Sequence, residues 1–332
     1  MARSRGDRVS AFQRDASTWA VPNHPSEGWR RGPEPWQDER MPPYGLLNVN
    51  KPAGMTSRRV VDCVLKLARK LKAGHAGTLD PLASGVLVVC VGAATRLIPY
   101  VQAMPKRYRA TFLLGRQSPT EDVDGPVTAL VDPPIPSLDA ISKAASGLTG
   151  EILQRPPQFS ALKVEGRRAY DLARTGKPVD LKPRPVTVYR VDIEAYEYPE
   201  LRLAVECGSG TYVRSLGRDL AASLGTAAVM SQLVRLAIGS FTIEEAVPLE
   251  SLRPDNWLDR LLPPLRAVEM LPHVILADSE IARVQAGQSI AKETPPDQEE
   301  MAALSRDGRL VAILAPRGPG LWGPACNLPS SP

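Results

Sequence analysis

The sequence predicts a fold in which helices accompany antiparallel strands, followed by a small β-rich module. Two strand-forming segments, residues 186–196 and 201–207, flank a turn at Pro199, which is the arrangement of a β-hairpin. Apolar residues at helical spacing between residues 56 and 71 predict an amphipathic helix. From about Ala267 short β-forming runs dominate. A module of about 65 residues is near the lower limit for independent stability, so we expect it to pack on the main domain.

The composition narrows the class of protein. The 332 residues allow one large domain and a small second one, and 41 Lys and Arg against 36 Asp and Glu suit a polyanionic partner without requiring one. The Cys residues are scattered without a C-x-x-C pair, so we expect neither a zinc site nor disulfides, but a reducing compartment. No signal-peptide pattern and no apolar run of about 18 residues is present, so a cytoplasmic protein without membrane contact is expected.

The first segments differ in character. Residues 1–43 mix Arg, Pro, Trp and acids without a period, which predicts a disordered extension, and the acids argue against a transit peptide. Order is expected from Tyr44, in a strand that ends at a Lys-Pro turn at Lys51. Thr56 or Ser57 then caps the amphipathic helix, whose outer face is basic. Such a face is usually only solvated. An RNA-facing role becomes plausible because this helix leads into the next loop.

That loop, Gly74–Gly85, places His75 five residues before Asp80, with glycines at both ends. Glycine permits backbone angles that other residues avoid, and Pro81 pushes Asp80 away from helical angles. We therefore expect a rigid loop that presents one carboxylate, anchored by a buried strand at 86–91. An Asp-Pro turn without a function is the plainer alternative.

A strand follows at residues 106–114, where Tyr108 heads an alternating row that should face inward. Tyr108 could be an ordinary core residue. Next to a base-binding pocket, an aromatic ring with a polar tip also suits the stacking of a flipped base.

Two later segments have the composition of RNA-binding surfaces. Residues 154–170 are rich in Pro and then in basic residues, with Phe159 and Tyr170 between them, although a plain surface loop fits as well. Glycines before Tyr212 allow either close approach to a ligand or a simple turn into the next helix, which stops at Gly225.

The remaining predicted elements are simple ones. They are a short helix at 94–103, a helix at 138–148, closing segments at 231–241 and 247–252, a strand at 274–276, a helix opened by Ser279, a hairpin at 306–308 and a strand at 310–314.

Several strings resemble one family in combination. They are residues 47–54, 74–85, 106–108, 154–166 and 210–214. Together they resemble the TruB family, the bacterial tRNA pseudouridine-55 synthases, over nearly all of residues 44–265. Two departures are mild. Asn50 stands where Asp is usual, and Ala237 lies in a stretch that tends to be more basic, which could weaken RNA contact.

The resemblance implies an α+β pseudouridine synthase fold. An extended, mostly antiparallel sheet flanked by helices is expected over 44–265, and a PUA-like RNA-binding module over 266–332. The implied reaction is the isomerisation of uridine 55 in the tRNA T-stem-loop after base flipping. The resemblance implies no cofactor, no metal and no protein partner, and the enzyme is expected to be a monomer.

The resemblance also implies residue roles by motif position. Asp80 would be the nucleophile, Arg214 its ion-pair partner and Tyr108 the ring under the flipped uracil. The other implied substrate-binding residues are His75, which fills the loop where the base has left, Tyr212 and Leu233, which line the pocket, and Lys51.

The chemistry agrees with these roles. A dry pocket would raise the pKa of Asp80, and Arg214 would favour the charged form. Attack at C1′, attack at C6 and a glycal route all remain open. One rival is an RNA-binding protein that has lost its chemistry, and the joint presence of the Asp, Arg and Tyr residues disfavours it. A guide-RNA-dependent synthase is the other rival, and the proline-rich segment and short C-terminal module favour the stand-alone enzyme.

Overall fold

The computed structural model describes residues 42–159, 181–293 and 298–329, with the pairs 163–164 and 167–168. The predicted disordered extension at 1–43 lies almost wholly outside these residues. Most of the basic segment after Phe159, including Tyr170, also lies outside them. None of the described helices is long and apolar enough to cross a membrane.

One large sheet forms the main body of the described chain. Its strands are β1 (Gly45–Lys51), β2 (Ala73–His75), β3 (Ser84–Val91), β4 (Lys106–Leu114), β7 (Gly150–Gln154), β10 (Arg184–Glu197), β11 (Glu200–Cys207), β12 (Ala228–Ile238), β13 (Phe241–Thr242) and β14 (Val247–Pro248). Two small hairpins pair β5 (Arg116–Gln117) with β6 (Thr128–Ala129) and β8 (Lys163–Val164) with β9 (Arg167–Arg168).

The strand order in the large sheet is β14-β1-β3-β12-β4-β11-β10-β7, with β2 beside β3 and β13 beside β12. The pairs β1 with β3, β12 with β4, β4 with β11, β11 with β10 and β10 with β7 are antiparallel. Only β1 with β14 and β3 with β12 are parallel among the described pairs of this sheet. The expected α+β fold with an extended, mostly antiparallel sheet is therefore confirmed.

Helices accompany both sheets of the described chain. The α-helices are α1 (Ser57–Ala68), α2 (Ile98–Ala103), α3 (Leu138–Ser146), α4 (Val213–Ser223) and α5 (Asp278–Gln285). Helix α5 packs on the second sheet, described below. Short 3-10 turns cover Gly92–Leu97, Leu249–Ser251, Leu258–Arg260 and Pro264–Ala267.

Strand β3 is apolar along its length because both of its faces are covered. Val86 and Val88 pack into a cluster on one face, while Leu87 and Val89 pack into a second cluster with α1 on the other. A strand buried on both sides loses the polar alternation of a surface strand. The predicted anchor behind the Asp80 loop is thus present.

Helix α1 begins as expected and ends earlier than its apolar stripe. The Thr56 hydroxyl accepts a hydrogen bond from the Arg59 amide at 3.2 Å, so Thr56 is the N-cap. Arg69 and Lys70 then adopt positive φ angles of 22° and 52°, which end the helix before Leu71.

Other predicted boundaries also moved. The expected segment 231–241 is broken by a turn at Gly239, whose φ is 51°, so β12 ends at Ile238. Helix α5 begins at Asp278 rather than opening at Ser279, because the Glu280 carboxylate accepts the Ala277 amide at 2.8 Å. The helix expected at 94–103 starts as a 3-10 turn, and α3 ends at residue 146.

A second sheet forms the C-terminal module. Its strands are β15 (His273–Ile275), β16 (Ile290–Ala291), β17 (Met301–Leu304), β18 (Leu310–Gly318) and β19 (Leu321–Asn327), in the order β15-β17-β18-β19-β16. Leu304 and Ile313 share a buried cluster with Val86 of the large sheet. The module therefore packs on the main domain, as its small size predicts.

The packing of α4 on the sheet gives a first testable outcome. A Cβ atom added at Gly217 would lie 2.0 Å from a ring carbon of Phe112 in β4. We expect Gly217→Ala to lower the free energy of unfolding by about 1–3 kcal/mol, as overpacking does. Thermal or urea unfolding measures this.

The matched control is Gly147→Ala, whose added Cβ would lie no closer than 3.4 Å to a neighbour. That change should leave stability unchanged or raise it slightly, because alanine restricts the unfolded chain. Equal stability of the two variants would contradict the close packing of α4 on β4.

Candidate active site

The Asp80 loop is fixed from behind by backbone-directed hydrogen bonds. The Ser57 hydroxyl accepts the Leu79 amide at 2.8 Å and donates to the Leu79 carbonyl at 3.0 Å. The Pro81 carbonyl accepts the Gly54 amide at 2.7 Å. The loop is therefore held against the start of α1 and the turn after β1, as the prediction of a rigid loop requires.

Lys51 lies behind this loop and does not reach the surface. Its side chain is fully buried, and its ammonium group donates to the carbonyls of Pro52 at 2.9 Å and Met55 at 2.5 Å, with Pro81 at 3.4 Å. Burial lowers the pKa of Lys51 to about 8, while the nearby Asp80 charge acts in the opposite direction. Lys51, which the resemblance implies as a substrate-binding residue, thus holds the Asp80 loop from behind in this structure.

Arg235 is a second buried cation in the same wall, and the sequence did not single it out. Its guanidinium donates to the carbonyls of Val86 at 2.7 Å and Gly77 at 3.1 Å, and Arg235 stands opposite Tyr108 where β12 pairs with β4. It therefore ties the Asp80 loop to β3 from a position beside Tyr108. A lone Arg within the otherwise apolar part of β12 is the signal that could have found it.

The carboxylate of Asp80 pairs with a guanidinium from far along the chain. The Arg214 Nε lies 3.0 Å from the Asp80 Oδ2, and the Arg214 side chain is only 6% exposed. Arg214 is the second residue of α4, which begins at Val213, directly after its N-cap residue Tyr212. The pair expected from the resemblance is therefore present in the structure.

Arg214 also binds two other segments, which sequence reasoning missed. Its Nη1 lies 3.1 Å from the buried Asp122 carboxylate and donates to the Thr120 carbonyl at 2.7 Å. Its Nη2 donates to the Phe159 carbonyl at 3.0 Å. Asp122 lies in an acidic loop between β5 and β6, and nothing in its local sequence marks one of its acids as an ion-pair partner.

Several charges set the ionisation of Asp80. Burial raises its pKa above the ordinary value, Arg214 opposes this, and the charges of Asp122 and Asp124 raise it further. Lys51 again favours the charged form. The Asp80 side chain is still 34% exposed, so water also screens the carboxylate and limits the rise. Arg214 thus acts in the expected direction, but the net pKa remains raised.

An apolar wall stands beside the carboxylate. Tyr108 and Leu233 belong to one buried cluster with Leu79 of the Asp80 loop and Val213 at the start of α4. The charge of Asp80 contributes to the raised pKa of Tyr108, whose largest cause is burial. The predicted pocket residues Tyr108 and Leu233 therefore lie together with the loop.

Tyr212 is half-buried and directly precedes Val213 of this apolar wall. Two neighbouring side chains hold it in place. The Gln154 side chain accepts its amide at 2.8 Å and donates to its carbonyl at 3.0 Å. The Arg184 guanidinium lies 5.1 Å from the centroid of its ring, a cation–π contact. The position of the ring is thus set from both backbone and side chain.

His75 ends β2, where it pairs with Val89 of β3. It is half-exposed and enters the loop five residues before Asp80. The structure therefore puts His75 at the start of the Asp80 loop. Among the described residues, no group of three or more His, Cys, Asp or Glu side chains is placed to hold a metal ion.

The site thus places one carboxylate beside the buried wall that contains Tyr108 and Leu233. Residues 65–213 match the model of the TruB family pseudouridylate synthase N-terminal domain. Solved structures of a Cbf5-Nop10-Gar1 complex (29% identity, TM-score 0.64, 82% of this chain and 78% of that one) and of an archaeal box H/ACA sRNP Nop10-Cbf5 complex (26%, 0.65, 88% and 84%) are similar in fold.

Curated relatives named tRNA pseudouridine synthase B match over most of the chain. The protein from Dehalococcoides mccartyi is 39% identical over 285 residues, covering 85% of this chain and 95% of the relative. The protein from an Arthrobacter species is 40% identical over 288 residues, covering 82% and 93%. The chain belongs to the TruB family of pseudouridylate synthases.

The charge arrangement predicts a pH dependence. If the ionised Asp80 carboxylate is the active form, the rate of pseudouridine formation is full above its raised pKa and is lost as pH falls through it. Asp122→Asn removes a charge that raises this pKa. We therefore expect the acidic limb of the pH–rate profile to move to lower pH, with a lower plateau because Arg214 loses an ion-pair partner.

The control for this experiment is Asp132→Asn, on an exposed residue at a positive φ that Asn tolerates. Its limb should coincide with that of the wild type. An acidic limb of Asp122→Asn that stays in place or moves to higher pH would contradict the proposed coupling.

Proposed function

We propose that this protein isomerises uridine 55 in the T-stem-loop of tRNA to pseudouridine. The observation that carries the proposal is the Asp80–Arg214 ion pair beside the wall of Tyr108 and Leu233. The names of the curated relatives support tRNA as the substrate. Family membership supports the reaction type.

The reaction breaks the C1′–N1 bond, turns the uracil and joins C1′ to C5, so the C5 proton leaves and N1 gains one. Asp80 is the proposed nucleophile, with attack at C1′, attack at C6 or a glycal route as the alternatives. In each route a carboxylate held by Arg214 is ready for reaction without reorganisation. The target uridine must leave its stack to reach this group, so base flipping is part of the proposal.

The pocket residues receive roles that follow from their places. Tyr108 supplies the ring against which the flipped uracil lies, and Leu233 and Tyr212 close the sides of the pocket. His75, at the outer end of the loop, would occupy the space that the flipped base leaves in the RNA. Lys51 would act from behind, by holding the Asp80 loop.

The wider organisation belongs to the same proposal. Residues 44–265 form the catalytic domain and residues 266–332 a PUA-like RNA-binding module. We propose a stand-alone monomer in the cytoplasm that needs no cofactor. The Nop10 and Gar1 proteins named in the similar structures are partners of those complexes. The rival, guide-dependent reading predicts an inactive protein when tRNA is its only RNA.

The role of Asp80 is tested with Asp80→Ala and Asp80→Asn on an unmodified tRNA transcript. Both variants should fold and bind tRNA yet form no pseudouridine, since all routes need the carboxylate. The exposed Asp255→Asn is the control and should keep the wild-type rate.

Mapping of pseudouridine along the transcript also locates the product. Product at position 55 from the purified wild type alone is the expected result. Product formed by Asp80→Ala would refute the nucleophile. Product that appears only when a guide RNA is added would favour the guide-dependent class.

The role of Tyr108 is tested by the split between turnover and binding. Tyr108→Leu should lower turnover by about ten-fold to hundred-fold, since stacking of a base is worth ~1–3 kcal/mol, while the Kd for tRNA changes less. Tyr108→Phe keeps the ring and removes only its hydroxyl group. The turnover of Tyr108→Phe should lie between that of Tyr108→Leu and that of the wild type. Wild-type turnover in both variants would show that Tyr108 is only a core residue and does not contact the base.

A further inference from the structure

Helix α4 carries a second arginine one helical turn after Arg214, and it contacts the same two segments. Residues four apart lie on the same face of a helix. Arg214 binds Asp122 and the Phe159 carbonyl. Arg218 forms an ion pair with Glu121 and donates to the Arg155 carbonyl at 2.8 Å. The first turns of α4 therefore hold the loop at 120–122 and the start of the proline-rich segment together.

Glu121 differs from the acid of an ordinary surface ion pair in its burial, its partners and its backbone angle. Its side chain is 13% exposed, and its carboxylate accepts both the Arg218 guanidinium and the fully buried Ser215 hydroxyl, the latter at 2.8 Å. Its φ angle is 63°, a left-handed conformation that costs a non-glycine residue energy. The backbone is fixed as well, because the Glu121 carbonyl accepts the Met230 amide of β12 at 3.0 Å.

The fixed backbone of Glu121 determines the position of the next residue, Asp122. Asp122 follows Glu121 directly and points its carboxylate at Arg214, the ion-pair partner of Asp80. A shift of the Glu121 backbone would therefore move Asp122 relative to Arg214. The pair of Glu121 and Arg218 touches neither Asp80 nor the wall of the pocket in any described contact.

Arg218 has a separate contact that Glu121 lacks. Its Nη2 holds the Arg155 carbonyl, which lies between Gln154, bound to Tyr212, and the buried Pro156. This is the point at which the chain enters the segment whose composition suits either an RNA-binding surface or a plain surface loop. Arg218 thus joins the loop at 120–122 to the entry of that segment.

We propose that Glu121 and Arg218 form a positioning pair. It sets the loop that carries Asp122 and couples the placement of that loop to the entry of the proline-rich segment at Arg155. This inference rests on the proposed function, because its first readout is turnover of tRNA. It deepens that function by adding residues that act through Arg214 and through the backbone of the RNA-binding segment.

Three variants separate the two contacts. Glu121→Gln removes the charge and keeps the shape, and it should lower kcat roughly ten-fold to hundred-fold, because small misplacements near reacting groups cost that much. Its KM for tRNA should stay within about two-fold of wild type, because the Arg155 contact remains. Arg218→Gln should lower kcat similarly and also raise KM several-fold.

Arg218→Lys is the conservative rescue. A lysine restores a charge opposite Glu121 but lacks the second nitrogen that reaches the Arg155 carbonyl. It should recover most of kcat while KM remains raised. The matched control is Arg202→Gln, which breaks an exposed ion pair with Glu200 on the β10–β11 hairpin and should change neither constant.

Hydrogen exchange gives a second readout that does not need turnover. Arg218→Gln should speed amide exchange in both residues 118–124 and residues 154–159, whereas Glu121→Gln should speed it only in 118–124. Rates are compared after normalisation to the folded fraction measured by thermal unfolding.

The outcomes are distinct. A wild-type protein that forms no pseudouridine refutes the proposed function. In that case the hydrogen-exchange pattern of the variants still tests whether Glu121 and Arg218 position the two segments. An active wild type with unchanged kcat in Glu121→Gln, or with equal changes of kcat and KM in all three variants, overturns the positioning pair. Unchanged exchange in both segments overturns it as well.

Discussion

The guanidinium of Arg214 is the contact on which the site depends. It is almost completely buried, and a buried charge is tolerated only when it is paired and hydrogen-bonded. The planar fork of Arg supplies donors in several directions at once. Here it joins Asp80, Asp122 and the carbonyls of Thr120 and Phe159. Loops that are distant in sequence are therefore fixed relative to one another by one side chain.

Two further buried cations shape the site without binding its carboxylate. Lys51 and Arg235 donate their described hydrogen bonds to backbone carbonyls. They therefore fix the geometry of the Asp80 loop while their positive charge remains close to it. Burial and the neighbouring acids raise the pKa of Asp80, and Lys51 and Arg214 oppose them. The carboxylate is thus balanced between opposing effects instead of being locked in one state.

Local patterns were enough to predict most elements and the inward-facing position of Tyr108. The alternation at 106–114 correctly predicted β4 and the buried Tyr108, and the apolar run at 86–91 correctly predicted a buried strand. The resemblance paired Asp80 with Arg214. The lone Arg235 in an apolar strand is visible in the sequence, but its partners and the partner of Asp122 were not foreseeable in this way, because the long-range packing of the sheet and of α4 brings them together. Arg235 meets Tyr108 only because β12 pairs with β4 in the register that places them opposite each other.

The same sheet order changes the meaning of one departure from the family pattern. The reduced basicity near Ala237 was expected to weaken RNA contact. Ala237 and Ile238 are almost completely buried, and β12 pairs there with both β4 and β13. A buried strand position contributes little to a phosphate-binding surface, so the absence of a cation there affects packing more than RNA binding. Cations that are accessible to phosphates must therefore lie on other elements, as the exposed Arg58 and Arg59 do in α1, next to Ser57, which binds the Asp80 loop.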